Sequence, residues 1–392
     1  MAGVRIVEIS SFVAVPLAGM TLAALGAEVI RVDPVGGAAD FRRWPIAESG
    51  DSIYWAGLNK GKRSMAVDMR SEQGQRLVQH LIADSGVLIT NVTGRQWHSH
   101  QTLSKQRPDL IHLEVLGRAD GSTGVDYTVN AATGFPLVTG PTGHVGPVNH
   151  VMPAWDVSCG LYAALSILAA LRHRDATGQG SAIRLPLDDV ALAVAANLGF
   201  LTEAIVNGIQ RPRLGNAIYG QYGRDFTSSD GVSFMVVALT PRHFRDLTEL
   251  TETAHAVAAV AETLDADFDD EGQRYLHRDV LDGLFAAWFG RHTAQEVDSA
   301  LTASSVLWER YQSFAEVAIS TRVTDNPLFA LLDQPRIGSH LAPGLPMSVN
   351  GAHTPAQPAP ALGEHTAAVL AERLGMDDAE IAALVESGTV AT

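Results

Sequence analysis

Short apolar runs separated by polar turns open the chain. Residues 4–9 (VRIVEI), 28–33 (EVIRVD), 64–69 (SMAVDM), 86–91 (GVLITN) and 109–117 (DLIHLEVLG) read as strands buried on both faces. Helical spacing fills two of the gaps. Residues 17–27 follow Pro16, which suits a first helical turn, and residues 72–84 follow Ser71, which suits an N-cap. The alternation predicts an α/β fold with a parallel, Rossmann-like sheet and helices on its faces. Ligands of such sheets sit beyond the carboxyl ends of the strands, so the loops after Glu8, Asp33 and Asn91 matter most.

The pattern then changes. A Gly/Thr/Pro-rich loop covers 132–150, and PAWDVSCG (153–160) leads into an apolar helix that runs to about Leu171. Residues 182–187 read as a strand and 188–209 as one long helix. Residues 211–226 are polar and glycine-rich, 229–239 suit a turn and strand, and 241–320 are mainly helical and acidic. From Asn326 the chain is proline-rich, and it closes with helices over 366–375 and 377–388. The domain organisation this predicts is a large Rossmann-like domain whose N-terminal part is 1–210. A smaller α+β domain spans 225–320, and a segment 326–392 returns to the large domain.

Composition narrows the function. Of 392 residues 46% are hydrophobic and 18% charged, the balance of a globular protein rather than a disordered one. Asp plus Glu outnumber Lys plus Arg by 43 to 28, a net charge of −15, which argues against a nucleic-acid binder. The single cysteine, Cys159, allows no intrachain disulfide and points to a reducing compartment. The longest apolar stretch, 159–171, has 13 residues, where a membrane span needs about 20. With no signal-peptide pattern at the start, the expectation is a cytoplasmic protein without membrane contact.

Common chemical signatures are absent. There is no G-x-G-x-x-G after the first strand, no Walker loop, no G-x-S-x-G elbow and no H-E-x-x-H. The 14 histidines are scattered, so no metal site is expected. One carboxylate stands out. Asp156 is flanked by Met152, Pro153, Ala154, Trp155, Val157 and Ser158, between the glycine-rich loop and the apolar helix. Two readings stay open for it: an N-cap for that helix, or a nucleophile at a helix N-terminus.

Several segments together resemble the family III CoA transferases, the group that includes formyl-CoA transferase and alpha-methylacyl-CoA racemase. They are the opening 4–33, NKGKRSMAVDMRS (59–71), VLITNV (87–92), AWDVSCGLYAALSILAAL (154–171) and APALGEHTAAVL (359–370). Residues 12–37, 54–64, 125–130, 148–156 and 211–226 resemble a subgroup that moves CoA between the two carboxylates of one small diacid. The resemblance implies an interlocked homodimer, an acyl-CoA thioester of a small dicarboxylic acid as substrate, and no cofactor beyond the CoA it carries. It places the nucleophile on Asp156. It places CoA contacts on Phe12, Val13 and Ala14, on Val67 and Arg70, and on Asn91 and Val92. Pro34 stands where relatives often carry an arginine, so Arg31 or Arg42 is expected to substitute. By residue type, Arg43, Lys60, Arg213 and Arg224 are candidates to hold a second carboxylate, with Tyr219, Gln221 and Tyr222 as donors. Racemases of the family carry a histidine where this chain has Val125, and His144 and His150 fall in another loop, which argues against two-base proton transfer. The glycine run common in the transferases is reduced to Gly220 and Gly223.

Overall fold

Seven strands form the central sheet of the computed structural model, which describes residues 1–392. Six are parallel: β1 (Arg5–Ile9), β2 (Glu28–Asp33), β3 (Arg63–Val67), β4 (Val87–Thr90), β5 (Ile111–Leu116) and β6 (Ser181–Pro186). Their spatial order is 3-2-1-4-5-6, with Val390–Ala391 added antiparallel beside β3. The strand order reverses between β1 and β4, and the crevice at their carboxyl ends is where sheets of this winding bind ligands. The apolar runs are continuous because helices cover both faces: Ile6, Val7, Leu88 and Leu113 are fully buried.

Local chemistry sets the helices. In the helix Glu72–Ser85, the Ser71 hydroxyl accepts the Gly74 N–H at 3.0 Å, and Gly86 closes the helix in the left-handed region at φ +69°. α1 (Ala14–Ala24) packs against the long helix Ala154–Thr177. Gly160 permits this approach, since a Cβ there would lie 2.7 Å from the Ala14 carbonyl oxygen. The long helix has 24 residues, well beyond the expected end at Leu171, and is long and apolar enough to cross a membrane by length and composition. One face of it, with Cys159, Ala163, Ile167 and Ala170, is buried, while Leu161, Tyr162, Leu165 and Leu168 stay exposed. The single helix expected over 188–209 is two, Leu187–Asn197 and Phe200–Val206, bent by 63°. Gly199 sits at the break with φ +82°.

A buried ionic network lies under the carboxyl ends of β1 to β3. Arg31 donates to Asp33 (3.0 Å), Asp40 (3.1 Å), Asn59 Oδ1 (3.0 Å) and the Ser10 carbonyl (3.2 Å). Lys62 Nζ reaches Glu8 at 2.9 Å, the Pro16 carbonyl and Asn59. Burial pulls Lys62 down to about 8 although Glu8 opposes it. Gly19 makes room for Glu8, because a Cβ at 19 would fall 1.8 Å from Glu8 Oε2.

The chain divides into two units, one of 1–133, 150–208 and 320–392, the other of 134–149 and 209–319. The expected division put 134–149 with the large domain. Arg213 explains the difference, since its guanidinium donates to the carbonyls of Pro136, Thr139 and Gly146 and ties that loop to the second unit. The second unit is a three-stranded antiparallel sheet (Tyr222–Thr227, Ser233–Ala238 and Leu307–Arg310) packed on helices around Phe234, Phe285 and Phe289.

Candidate active site

Asp156 is the third residue of the long helix, not its cap. Pro153 precedes the helix and offers no side-chain cap. A carboxylate thirty positions upstream does the capping instead: Asp126 Oδ2 accepts the backbone N–H of Trp155 at 2.8 Å and of Asp156 at 3.1 Å. Asp126 is only 2% exposed and begins the short helix Asp126–Ala132. The Asn130 amide oxygen, one turn on, accepts the Trp155 indole N–H at 3.0 Å and fixes that ring. With its capping work done by Asp126, the half-buried Asp156 carboxylate makes no side-chain hydrogen bond or ion pair in the structure.

This placement raises the Asp156 carboxyl to about 7, first through burial and then through the nearby charge of Asp126, with Arg43 opposing. Arg43 has no carboxylate partner of its own. Its guanidinium lies 5.5 Å from the Phe12 ring centre and 5.1 Å from that of Tyr54. Burial, eased by Arg43, lifts the Tyr54 hydroxyl to about 12, so it remains a donor at neutral pH. The site therefore pairs an underligated carboxylate with a free cation and a phenol.

His150 also belongs here, although it was set aside from the sequence as part of another loop. Its Nε2 lies 2.6 Å from Asp126 Oδ1. Tyr127 and Trp155 flank the ring, with centres at 5.9 and 6.0 Å. Val125 is exposed, so the imidazole near Asp126 comes from a position 24 residues further on. Neither Asp126 nor His150 was picked out as a site residue, and only the segment GVDYTVN carried a signal for the first.

The residues implied for CoA lie at the carboxyl ends of β1, β3 and β4 and in the loops that follow them. Asn91 links the loops after β1 and β4: its Oδ1 accepts the Ser11 N–H at 3.0 Å and its Nδ2 donates to the Ser11 carbonyl at 2.8 Å. Phe12 adopts φ +65°, rare for a bulky side chain, and its N–H donates to Asp40 Oδ2 at 3.0 Å. Val13 and Ala14 are buried at the start of α1, and Val67 is buried in β3, two strands away from β1, so none of the three side chains is open to a ligand. A cavity of about 700 Å³ opens beside them, lined by Val35, Met69, Arg70, Val92, Arg95 and Trp97 among others. The Arg70 side chain is 94% exposed and paired only with Asp68. Arg31, expected to reach a phosphate, is 1% exposed and saturated by its network; Arg95 is the cation that sequence reasoning missed. Arg42 lines a separate cavity near Arg336.

The remaining candidates for a second carboxylate scatter. Lys60 lines an apolar cavity of about 670 Å³ with Leu17, Met20 and Leu345. Arg213, Tyr219, Gln221, Tyr222 and Arg224 lie in the second unit and are engaged there. Arg213 binds loop carbonyls, Tyr219 packs on Tyr275 at 5.2 Å, and Gln221 donates to Glu271. Tyr222 is 1% exposed with its hydroxyl given to Asp282 at 2.9 Å, and Arg224 pairs with the same Asp282. Tyr222 has no surface left for a ligand.

Known proteins bear on this geometry. The pattern of CoA-transferase family III matches residues 1–366. A 2-methylfumaryl-CoA isomerase of Chloroflexus aurantiacus is 45% identical, covering 99% of this chain and 97% of that protein. A succinyl-CoA:mesaconate CoA-transferase of Haloarcula hispanica is 25% identical over 84% of this chain and 85% of its own. The crystal structure of a CAIB/BAIF family protein from Brucella suis superposes with a TM-score of 0.79 at 26% identity, covering 95% and 98% of the two chains.

Proposed function

The chain belongs to CoA-transferase family III, and we propose that it moves CoA between C1 and C4 of a single 2-methylfumaryl (mesaconyl) skeleton. One observation carries the chemistry: the Asp156 carboxylate sits at a helix N-terminus with its capping duty transferred to Asp126, unpartnered and beside Arg43. An Asp156 oxygen attacks the C1 thioester carbonyl, the C–S bond breaks and CoA thiolate leaves, giving a mixed anhydride. The thiolate attacks the aspartyl carbonyl, the anhydride C–O bond breaks, and an aspartyl-CoA thioester and the free diacid result. The C4 carboxylate then attacks that thioester, and the same steps in reverse deliver the C4 thioester and regenerate Asp156. Arg43 would offset the repulsion between Asp156 and the incoming carboxylate. The nucleotide end of CoA fits the cavity at the β1–β4 crevice, near Arg70 and Arg95. CoA itself then serves as the only cofactor. An interlocked homodimer would cover Leu161, Tyr162, Leu165 and Leu168, the exposed stripe of the long helix.

The alternative is transfer between an acyl-CoA and a separate acid, which the Haloarcula relative's name describes for that protein. Incubation with 2-methylfumaryl-CoA, with labelled free methylfumarate in a parallel run, separates the two. Conversion of the C1 to the C4 thioester without label is expected. Label in the product makes the enzyme intermolecular, and no conversion removes the substrate assignment.

A further inference from the structure

The reaction as drawn uses Asp156 and a cation near it, but leaves one feature of the site without a task. His150 is a quarter exposed, and its Nε2 is fixed at 2.6 Å from Asp126, whose other oxygen is tied to the helix by two backbone N–H groups. Asp126 therefore cannot turn away, and the ring that it orients cannot either. The Tyr127 hydroxyl donates to the carbonyl of Val151 at 3.1 Å and tethers the next residue of the same loop. A carboxylate at this distance holds the Nε2 proton and leaves Nδ1 as the ring's free polar atom. Nδ1 has no hydrogen bond in the structure and is open to solvent. The ring is thus fixed on one side and open on the other.

The charges in the site call for such a group. Asp126, Asp156 and a bound diacid bring several carboxylates together, and Arg43 answers only at the reacting end, where it acts on Asp156. We propose that His150, braced by Asp126, holds the free carboxylate of the substrate while the other carboxylate is engaged at Asp156, and so makes the site specific for diacids. For this the ring takes up one proton as the diacid binds, so that Nε2–H faces Asp126 and Nδ1–H faces the substrate carboxylate. No bond to carbon is made or broken at His150. The assignment rests on the transfer reaction given above.

The test uses His150→Ala and His150→Gln in the full-length enzyme, with thermal unfolding to show that both fold. Two thioesters are compared: 2-methylfumaryl-CoA, and crotonyl-CoA, which lacks the second carboxylate. Adduct formation at Asp156 is read by intact mass. The expected result is a fall of about 30- to 100-fold in kcat/KM for the diacid thioester in His150→Ala, the usual scale for a lost hydrogen bond to a charged group. Labelled diacid should then enter the product, because the intermediate escapes. Adduct formation from crotonyl-CoA should stay as in the unaltered enzyme, and added free imidazole should restore diacid turnover. Equal losses with both thioesters, or no loss with either, overturn the role of His150. If the unaltered enzyme forms no Asp156 adduct from either thioester, the transfer mechanism falls and this assignment falls with it.

Discussion

Two clusters of buried charge lie in the same unit and treat their carboxylates in opposite ways. Under β1 to β3, the acids Glu8, Asp33 and Asp40 meet the cations Arg31 and Lys62, every side chain is within 3% of full burial, and each charge has a partner at hydrogen-bond distance. At the start of the long helix, Asp126 takes three partners and Asp156 is left with none. Fully paired charge makes a rigid platform: it clamps the Ser10 carbonyl and, through Asp40, the Phe12 N–H, which helps hold Phe12 at its positive φ. Underpaired charge makes a reactive group. The proposed role of Asp156 therefore rests not on burial, which both clusters share, but on a hydrogen-bonding duty passed to a neighbour.

The strongest way to break this comparison is to remove the unpaired member. Asp156→Asn should lower CoA transfer by about 10⁴-fold or more, as loss of a covalent nucleophile does. It should leave the melting temperature equal or higher, because a half-buried charge without a partner is replaced by a neutral amide. Retained turnover would sink the mechanism. The paired cluster should behave in reverse. Lys62→Met removes one partner and strands Glu8, and is expected to cost about 3–5 kcal/mol in urea unfolding, with activity lost only as the folded fraction falls. Were Lys62→Met as stable as the unaltered protein, the platform role of the network would fail.

Titration sharpens the same contrast. The Asp156 carboxyl sits at about 7 in the fold against an ordinary 3.8. Between roughly pH 4 and 7 the folded protein keeps this proton and the unfolded chain does not, so stability falls as pH rises through that window and levels off above it. Three units correspond to about 4 kcal/mol, and partial exposure brings the expected slope to about 2 kcal/mol across the window. Asp156→Asn should lack this component when unfolding is followed at pH 4.5 and 7.5. Because the nucleophile acts ionised, kcat/KM of the unaltered enzyme should climb toward pH 7 and flatten above it. A rate independent of pH from 5 to 8 would mean that Asp156 is ionised throughout.

Sequence patterning showed the sheet far better than the site. β1, β2, β4 and β5 were legible because a strand covered on both faces has to be an unbroken apolar run. Val390–Ala391 was not, since two residues carry no periodicity, nor was the break at Gly199, where an isolated glycine in an apolar run looks tolerable. Asp156 stood out by its neighbours and by family resemblance, but local sequence left a cap and a nucleophile both open. The cap comes from Asp126, and no local window reveals a partner thirty residues away. For the same reason His150 was passed over and Arg31, an attractive phosphate ligand on paper, turned out to be sealed in the core.

The crevice between β1 and β4 offers the finest comparison, between a residue that shapes it and one at its rim. Asn91 joins the loops after β1 and β4 by two hydrogen bonds, whereas Arg70 stands almost wholly in solvent. Asn91→Ala strips both bonds from a partly buried site and should cost about 1–2 kcal/mol of stability, and CoA binding should weaken about tenfold as the Ser11 loop relaxes. Arg70→Ala should leave stability within about 0.5 kcal/mol. Its effect belongs to binding alone, a loss of a few-fold that fades as salt is raised, because an exposed guanidinium is screened over about 10 Å at 0.1 M. Calorimetric titration of CoA at two salt concentrations separates the cases. A salt-independent loss in Arg70→Ala would mean that the side chain packs on the ligand rather than attracting its phosphates, and Arg95 would then be left as the cation that does.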